Sequence, residues 1–195
     1  VRRGTQRNRT FFSLEEWFAE AKIADLGPNY DFVSVRLGSQ FFNSDFRGFI
    51  FEDINRAARV FGTRNSNREQ FNLIYFDMLE KDTNSELNTF RPRDQQIANY
   101  YVQDFIWPGY TFQASVHYNH DEPTFRFDRN NVLVRPDPVG VARPHQLDVV
   151  YLGWAGDGHI NRYNINHALY WALGRDSLNQ MANREVQISA FMSAL

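Results

Sequence analysis

The sequence predicts an all-β protein: an antiparallel up-and-down β-barrel, or roughly half of a larger transmembrane barrel, with long loops. Apolar and polar residues alternate with a period of two in segment after segment. Aromatic residues make up 16% of the 195 residues, yet the mean hydropathy is −0.54. A barrel that crosses a membrane turns aromatic side chains outward and keeps a polar interior, which accounts for this mixture.

The segment 109–120 carries the clearest alternation, with Tyr110, Phe112 and Ala114 on one face and Thr111 and Gln113 on the other. Successive side chains of a strand point to opposite faces, so this pattern predicts a strand with one apolar side. Similar patterns predict eight more strands, near residues 17–23, 33–38, 54–62, 70–75, 98–103, 147–153, 163–167 and 186–192. Their spacing of about 20 residues suits membrane strands joined by short turns and longer loops.

Turn-forming residues fall between the predicted strands. Gly27-Pro28-Asn29 predicts a turn, and Asp157-Gly158 predicts a tight strand-to-strand turn. Residues 81–93 read as a polar loop, and residues 121–145 form the longest irregular stretch. None of the seven prolines is expected inside a strand, because proline cannot donate to the hydrogen-bond ladder.

Three segments also allow a helix. Ser13 opens a capping box that would start a helix over 14–25. The segment 54–62 fits a short helix as well as a strand, and 160–171 is ambiguous in the same way.

Composition excludes several classes of protein. With no cysteine, the chain has no disulfide, no thiolate zinc site and no thiol nucleophile. A net charge of −2 without a basic run predicts no nucleic-acid partner. No apolar stretch is long enough for a membrane-spanning helix. We find neither a phosphate-binding loop nor a nucleophile elbow, and we predict no catalytic residue and no cofactor.

Charged residues concentrate between positions 36 and 59, and all the basic ones are arginines. The cluster comprises Arg36, Arg47, Arg56, Arg59, Asp45 and Glu52. If Arg36 faces inward and residues 43–53 fold over as a loop, these side chains line one cavity, as the fixed charges of a selective pore do. The alternative interpretation is a set of solvated surface ion pairs.

A second candidate site lies at His117, His120 and Asp121, with Glu122 next to them. Imidazole and carboxylate groups are ligands for zinc or manganese, and such a site would suit a soluble β-sandwich that binds or hydrolyses glycans. Residues three apart on a strand point to opposite faces, so His117 and His120 converge only if a turn begins near Asn119.

Five stretches resemble a known family. Residues 30–40 and 42–49 contain Arg36-x-Gly38-x-Gln40 followed by Asp45-x-Arg47, and segments 67–77, 151–158 and 166–170 are similar to later strands of the same proteins. These stretches resemble Gram-negative outer-membrane β-barrels of the alginate-export and carbohydrate-porin type.

That resemblance implies a place in the bacterial outer membrane, in contact with the lipid bilayer and lipopolysaccharide. It implies passive diffusion of small, anionic or hydroxyl-rich solutes such as saccharides, with Arg36 and Arg47 as pore residues and a possible homo-oligomer. We expect residues 1–195 to form one domain. Because barrels of this kind have an even number of strands and nine are predicted here, we expect a portion of a larger barrel.

Overall fold

A computed structural model describes residues 10, 12–44, 48–81, 88–127, 131, 133–135, 143–144, 146–177, 179 and 181–195, and within these residues every regular element is a strand. The strands are β1 (Trp17–Asp25), β2 (Phe32–Asn43), β3 (Glu52–Arg64), β4 (Glu69–Lys81), β5 (Asn88–Gln103), β6 (Tyr110–Asp121), β7 (Arg126–Phe127), β8 (Leu133–Arg135), β9 (Gln146–Ile160), β10 (Tyr163–Ser177) and β11 (Val186–Ala194).

Nine of these strands form one antiparallel sheet in the order β1-β2-β3-β4-β5-β6-β9-β10-β11. Each strand pairs with the next along the chain, while β7 and β8 form a separate small hairpin within the longest connection. β1 and β11 are the two edges of the sheet, which is not closed on itself. The predicted all-β, up-and-down class is therefore confirmed, and each of the nine predicted strands is present.

The two ends of the sheet differ in their connections. One end, called here the turn end, carries connections 26–31, 65–68, 104–109 and 161–162, which are two to six residues long. The other, called the loop end, carries 44–51, 82–87, 122–145 and 178–185, which are six to 24 residues long. Because the strands alternate in direction, β1 and β11 both run from the loop end to the turn end.

The helical alternatives for 14–25, 54–62 and 160–171 are wrong, because these segments contain β1, β3 and part of β10. Each segment pairs with a neighbouring strand over most of its length. Tertiary pairing thus decides the local conformation where the sequence alone leaves it open.

The predicted turn at Asp157-Gly158 is also wrong, since both residues lie inside β9 and the turn falls at Asn161 and Arg162. Asn161 supplies the left-handed backbone, with φ of 55°. The glycines of β9 serve close packing instead: a Cβ on Gly156 would lie 2.6 Å from the Thr111 carbonyl oxygen.

One proline departs from expectation. Pro92 lies inside β5, where the pairing with β4 shifts between Met78–Arg93 and Glu80–Phe90. Such an irregularity tolerates a residue without an N–H group. The predicted polar loop at 81–93 is correspondingly shorter, because β4 ends at Lys81 and β5 begins at Asn88.

A single contact shows that the sheet curls. Ser44 follows directly after the end of β2, and its carbonyl oxygen accepts a hydrogen bond of 2.7 Å from the Gln113 Nε2 of β6. In a flat sheet β2 and β6 are four strand spacings apart, or about 19 Å. The contact is possible only because the sheet bends round so that these strands approach each other across one face. We call this side the concave face and the opposite side the convex face.

Apolar packing on the concave face is local. One buried cluster lies beneath connection 44–51 and consists of Phe42, Phe51, Ala57, Ile74, Phe76, Met78 and Ile97. A smaller cluster on β9 and β10 contains Ala155, Ala168 and Tyr170, with Ile50 of the same connection packed against it. The connection between β2 and β3 is thus fixed to the inside of the curl at both clusters.

Candidate functional site

The strand register separates the side chains into two chemically different faces. One line of directly paired residues crosses all nine strands of the convex face, and we call it the apolar row. It consists of Ala21, Val35, Val60, Leu73, Ala98, Val116, Leu152, Trp171 and Phe191. No member of this row is polar, so the middle of the convex face is a continuous apolar surface.

The side chains of this apolar surface are exposed to solvent. Leu73 is 55% exposed, Trp171 48% and Phe191 68%. Soluble monomers rarely expose contiguous apolar patches of more than a few hundred Å². The apolar row crosses nine strands and is therefore larger than the apolar patches that soluble monomers usually expose.

The concave face carries a line of polar contacts that begins at the β1 edge. Arg36 donates from Nε to Glu20 at 2.9 Å and forms an ion pair with the same carboxylate. Arg59 donates from Nε to Asn72 Oδ1 at 2.8 Å, and Asn72 Nδ2 donates to Asn99 Oδ1 at 2.8 Å. These contacts connect β1 with β2 and then β3 with β4 and β5.

Aromatic rings hold the two arginines between these polar partners. The Arg36 guanidinium lies 4.1 Å from the ring centroid of Phe18, and that of Arg59 lies 4.5 Å from the ring of Phe61. The ring centroid of Phe61 also lies 5.4 Å from the Arg36 guanidinium, so one ring is close to both cations. A guanidinium can stack on an aromatic face and still present N–H donors in its plane, which an ammonium cannot do. Both charges are therefore held in fixed positions on the concave face.

The described residues of connection 44–51, namely 44 and 48–51, lie on the concave face over the buried cluster. Phe51 packs on Phe76 of β4 with ring centroids 4.7 Å apart, and Phe49 packs on Tyr170 of β10 at 6.3 Å. The Ser44 carbonyl oxygen accepts from Asn99 Nδ2 at 3.4 Å in addition to Gln113. The described residues of this connection thus contact both sides of the curl and occupy part of the space inside.

The structure places the predicted pore residues in different locations. Arg36 and Arg59 come together on the concave face as cross-strand neighbours. Arg56 lies on the convex face, where it donates to Asp77 at 2.8 Å. Glu52 is exposed at the loop end and accepts from Asn43. Asp45 and Arg47 lie outside the described residues.

The predicted metal ligands do not converge. β6 continues to Asp121 without a turn at Asn119, so His117 and Asp121 lie on the concave face and His120 on the convex face. His120 is paired with Asp148 at 2.6 Å. Among the described residues, no group of three or more histidine, cysteine, aspartate or glutamate side chains is arranged to hold a metal ion. This geometry gives no support to the alternative glycan-active site.

Four polar residues of the concave face were not predicted from the sequence as functional residues. They are Glu20, Asn72, Asn99 and Gln113. Each lies on the polar side of an alternating segment, which is the only signal that the sequence offers. Their partnership depends on which strands are neighbours and on the register between them.

Comparisons with family models, with curated proteins and with solved structures find no match for this chain. In the described part of the chain, there is no helix with the length and apolar character needed to span a membrane.

Proposed function

We propose that this chain forms part of the wall of an outer-membrane β-barrel channel through which small, anionic or hydroxyl-rich solutes such as saccharides diffuse passively. The observation that carries the proposal is the curled sheet with a bare apolar convex face and a polar, arginine-bearing concave face. Lipid would cover the first face and water would fill the space beside the second.

The height of the apolar band fits a membrane. On the convex side of β4, Asp77 and Glu69 are eight residues apart along the strand. The convex residues between them are Tyr75, Leu73 and Phe71. At about 3.4 Å per residue and a strand tilt of about 40°, this separation corresponds to roughly 21 Å along the barrel axis. Outer-membrane barrels present an apolar band of about 25 Å.

The connections support the same interpretation and suggest an orientation. Bacterial barrels have short turns on the periplasmic side and longer loops outside. On this basis the turn end faces the periplasm and the loop end faces the exterior. Connection 44–51, which enters the curl from the loop end, would then narrow the channel from the outside.

Arg36 and Arg59 would set the preference for solutes. Rings of fixed positive charge in a pore favour the passage of anions. Guanidinium groups also donate hydrogen bonds to the carboxylate and hydroxyl oxygens of a passing solute. Glu20 offsets part of the charge of Arg36, so the field points across the channel from β3 towards β1. The preference for anions is thus inferred from the two arginines, whereas the choice of saccharides is inferred from the sequence resemblance.

The test is conductance of the whole protein, refolded in detergent and reconstituted in planar bilayers under a salt gradient. We expect discrete channels whose anion preference falls in the double variant Arg36→Gln with Arg59→Gln. Arg56→Gln is the control, because it removes one positive charge from the convex face, whereas the double variant removes two from the concave face. A protein that stays monodisperse without detergent and forms no channel would contradict the proposal, and an equal effect of Arg56→Gln would contradict the assignment of the faces.

A further inference from the structure

Connection 104–109 differs from the other connections of the turn end because it carries three consecutive large apolar side chains, those of Phe105, Ile106 and Trp107. The connections on either side of it, 65–68 and 161–162, consist only of asparagine, serine and arginine. Ile106 is 76% exposed and Phe105 40%. An apolar tip thus lies between two polar connections at this end of the sheet.

The rings of this connection lie against the convex face. Phe105 stacks on Phe112 with ring centroids 4.7 Å apart, and Trp107 stacks on Tyr110 at 4.5 Å. Tyr110 and Phe112 are six and four residues from Val116 of the apolar row, so all three side chains point to the same face of β6. The connection therefore folds onto the outside of the curl and leaves the space inside clear.

Hydrogen bonds within the protein close the base of the connection. The Gly109 N–H group donates to the Asp104 carboxylate at 2.8 Å, and the Phe105 N–H group donates to the Tyr110 carbonyl oxygen at 3.1 Å. Beneath the rings, Tyr110 Oη and His167 Nε2 are hydrogen-bonded at 2.6 Å. Because these polar groups already have partners, the tip can be withdrawn from water without leaving them unpaired.

Ile106 has a backbone conformation that β-branched residues rarely adopt. Its φ is 76°, in the left-handed region, where a branched Cβ is strained. Asn67 and Asn161 occupy the same region in the two polar connections, and asparagine does so at a lower cost. An asparagine would fit the backbone of position 106 better, so the backbone alone does not account for the isoleucine.

The apolar surface of the convex face continues without interruption into this connection. Along β5 and β6, which are both described here, no charged residue of the convex face lies between the apolar row and the connection. The convex residues of this stretch are Ala98, Tyr100 and Val102 on β5 and Tyr110, Phe112, Ala114 and Val116 on β6. On β4, by contrast, Glu69 ends the apolar stretch before the turn.

We propose that connection 104–109 inserts into the lipid leaflet at the turn end, with Ile106 in contact with acyl chains and the rings of Phe105 and Trp107 beside the head groups. This inference rests on the proposed membrane function and adds to it a point of attachment to lipid. Amphipathic rings favour the boundary between acyl chains and head groups. Burial of the Ile106 side chain in lipid would offset the strain of its backbone.

The position of the rings favours lipid over a protein partner. They lie on the same face as the apolar row and continue its surface, so the covering of one extends to the other. A protein in the aqueous compartment would instead approach the end of the sheet, where the neighbouring connections are polar.

The location of the tip can be measured with single-cysteine variants, because the chain contains no cysteine of its own. We would attach an environment-sensitive fluorophore at Ile106→Cys, at Leu73→Cys in the apolar row and at Arg162→Cys in an exposed polar connection. Quenching of the whole protein in vesicles, by lipids with spin labels and by aqueous iodide, distinguishes lipid from water around each label.

We expect quenching by spin-labelled lipids at positions 73 and 106, and quenching by iodide at 162. Iodide quenching at 106 together with lipid quenching at 73 would overturn the insertion of this connection, leave the membrane channel standing and make the tip available to a protein partner. Iodide quenching at position 73 would overturn the membrane proposal itself.

A second measurement separates lipid contact from a purely structural role of position 106. Ile106→Asn relieves the backbone strain but removes the apolar side chain. We therefore expect the equilibrium constant for folding into vesicles, measured in urea, to fall about five-fold. Ile106→Leu keeps an apolar side chain of the same size and should stay close to the wild type.

Ser66→Asn is the matched control, because Ser66 also has a positive φ, of 56°, but lies in a polar connection. This variant should fold into vesicles at least as well as the wild type. If Ile106→Asn also folds as well as the wild type or better, relief of strain alone accounts for position 106 and its contact with lipid is overturned.

Discussion

The backbone carbonyl of Ser44 and the side-chain amide of Gln113 meet at 2.7 Å, although three strands lie between β2 and β6 in the sheet. Both groups are buried. This one hydrogen bond joins the start of connection 44–51 to the opposite side of the curl, and the strength of that attachment can be tested directly.

Replacing Gln113 with leucine should loosen connection 44–51. The variant leaves a buried carbonyl oxygen with only the longer bond from Asn99, which should cost about 1–3 kcal/mol of stability. Urea unfolding of the reconstituted protein, followed by tryptophan fluorescence, measures the loss, and single-channel recordings should show more current noise. The control Gln96→Leu changes an exposed residue of the convex face and should leave both readouts unchanged; equal destabilisation by the two variants would contradict this role for Gln113.

Replacing the buried carboxylate of Asp31, at the turn end, should also destabilise the fold. The buried Asp31 side chain accepts hydrogen bonds from the backbone N–H groups of Ser66 at 3.0 Å and Asn67 at 2.9 Å. Residues 65–67 all have positive φ, which asparagine tolerates better than most residues but which is costly for Ser66. Asp31→Ala should therefore lower the free energy of unfolding by about 2–3 kcal/mol, since hydrogen bonds to charged groups are the stronger ones.

The matched control for Asp31 is Asp104→Ala. Asp104 also accepts from a backbone N–H group, that of Gly109 at 2.8 Å, but the contact is exposed to solvent. Its removal should cost less than about 1 kcal/mol in the same unfolding assay. A larger loss for Asp104 than for Asp31 would refute the link between connections 26–31 and 65–68.

Gly156 should tolerate no larger side chain. Tyr110 Oη and His167 Nε2 are hydrogen-bonded at 2.6 Å, and a Cβ on Gly156 would lie 2.7 and 2.9 Å from these two atoms. Gly156→Val should break this bond and destabilise the sheet by about 1–3 kcal/mol, as overpacking does. Ala98→Val, in the apolar row, has room on the exposed surface and should be near neutral when both variants are unfolded in urea.

A charge in the apolar row distinguishes a lipid-facing surface from a wet one. Leu73→Arg should cost about 2–4 kcal/mol in a bilayer, whereas it should be harmless on a surface that faces water. Gln70→Arg, on the exposed concave side of the same strand, is the control. Folding efficiency into vesicles, read from gel mobility without heating, should fall for the first variant alone.

Alternation in the sequence is sufficient to predict the nine strands, because each strand presents one apolar and one polar side. Alternation is less informative where the apolar residues of a segment fit both the helical period of 3.6 residues and the strand period of two. In 54–62, Arg56 and Arg59 would share one face of a helix, but on β3 they point to opposite faces, which divides the predicted arginine cluster.

The turn at Asn161 and the position of Pro92 show a second limit of sequence reasoning. Asp-Gly is a common turn signal, but Gly158 lies inside β9. A side chain there would collide with the backbone at the start of β6, and this close approach cannot be read from the β9 sequence. Likewise, nothing local to Pro92 reveals the irregular pairing with β4 that accepts it. The hydrogen bond between Ser44 and Gln113 depends on curvature, which is a property of the whole sheet.

The shared direction of β1 and β11 has a consequence for how a barrel can be completed. Adding one hairpin adds two strands and leaves the two edges running the same way, so hairpins alone never bring antiparallel edges together. Copies of this chain arranged around an axis through the membrane would also meet with parallel edges. A fully antiparallel barrel that contains this sheet therefore has an odd number of strands beyond these nine. At least one of the added strands does not belong to an added hairpin, and the total number of strands is even.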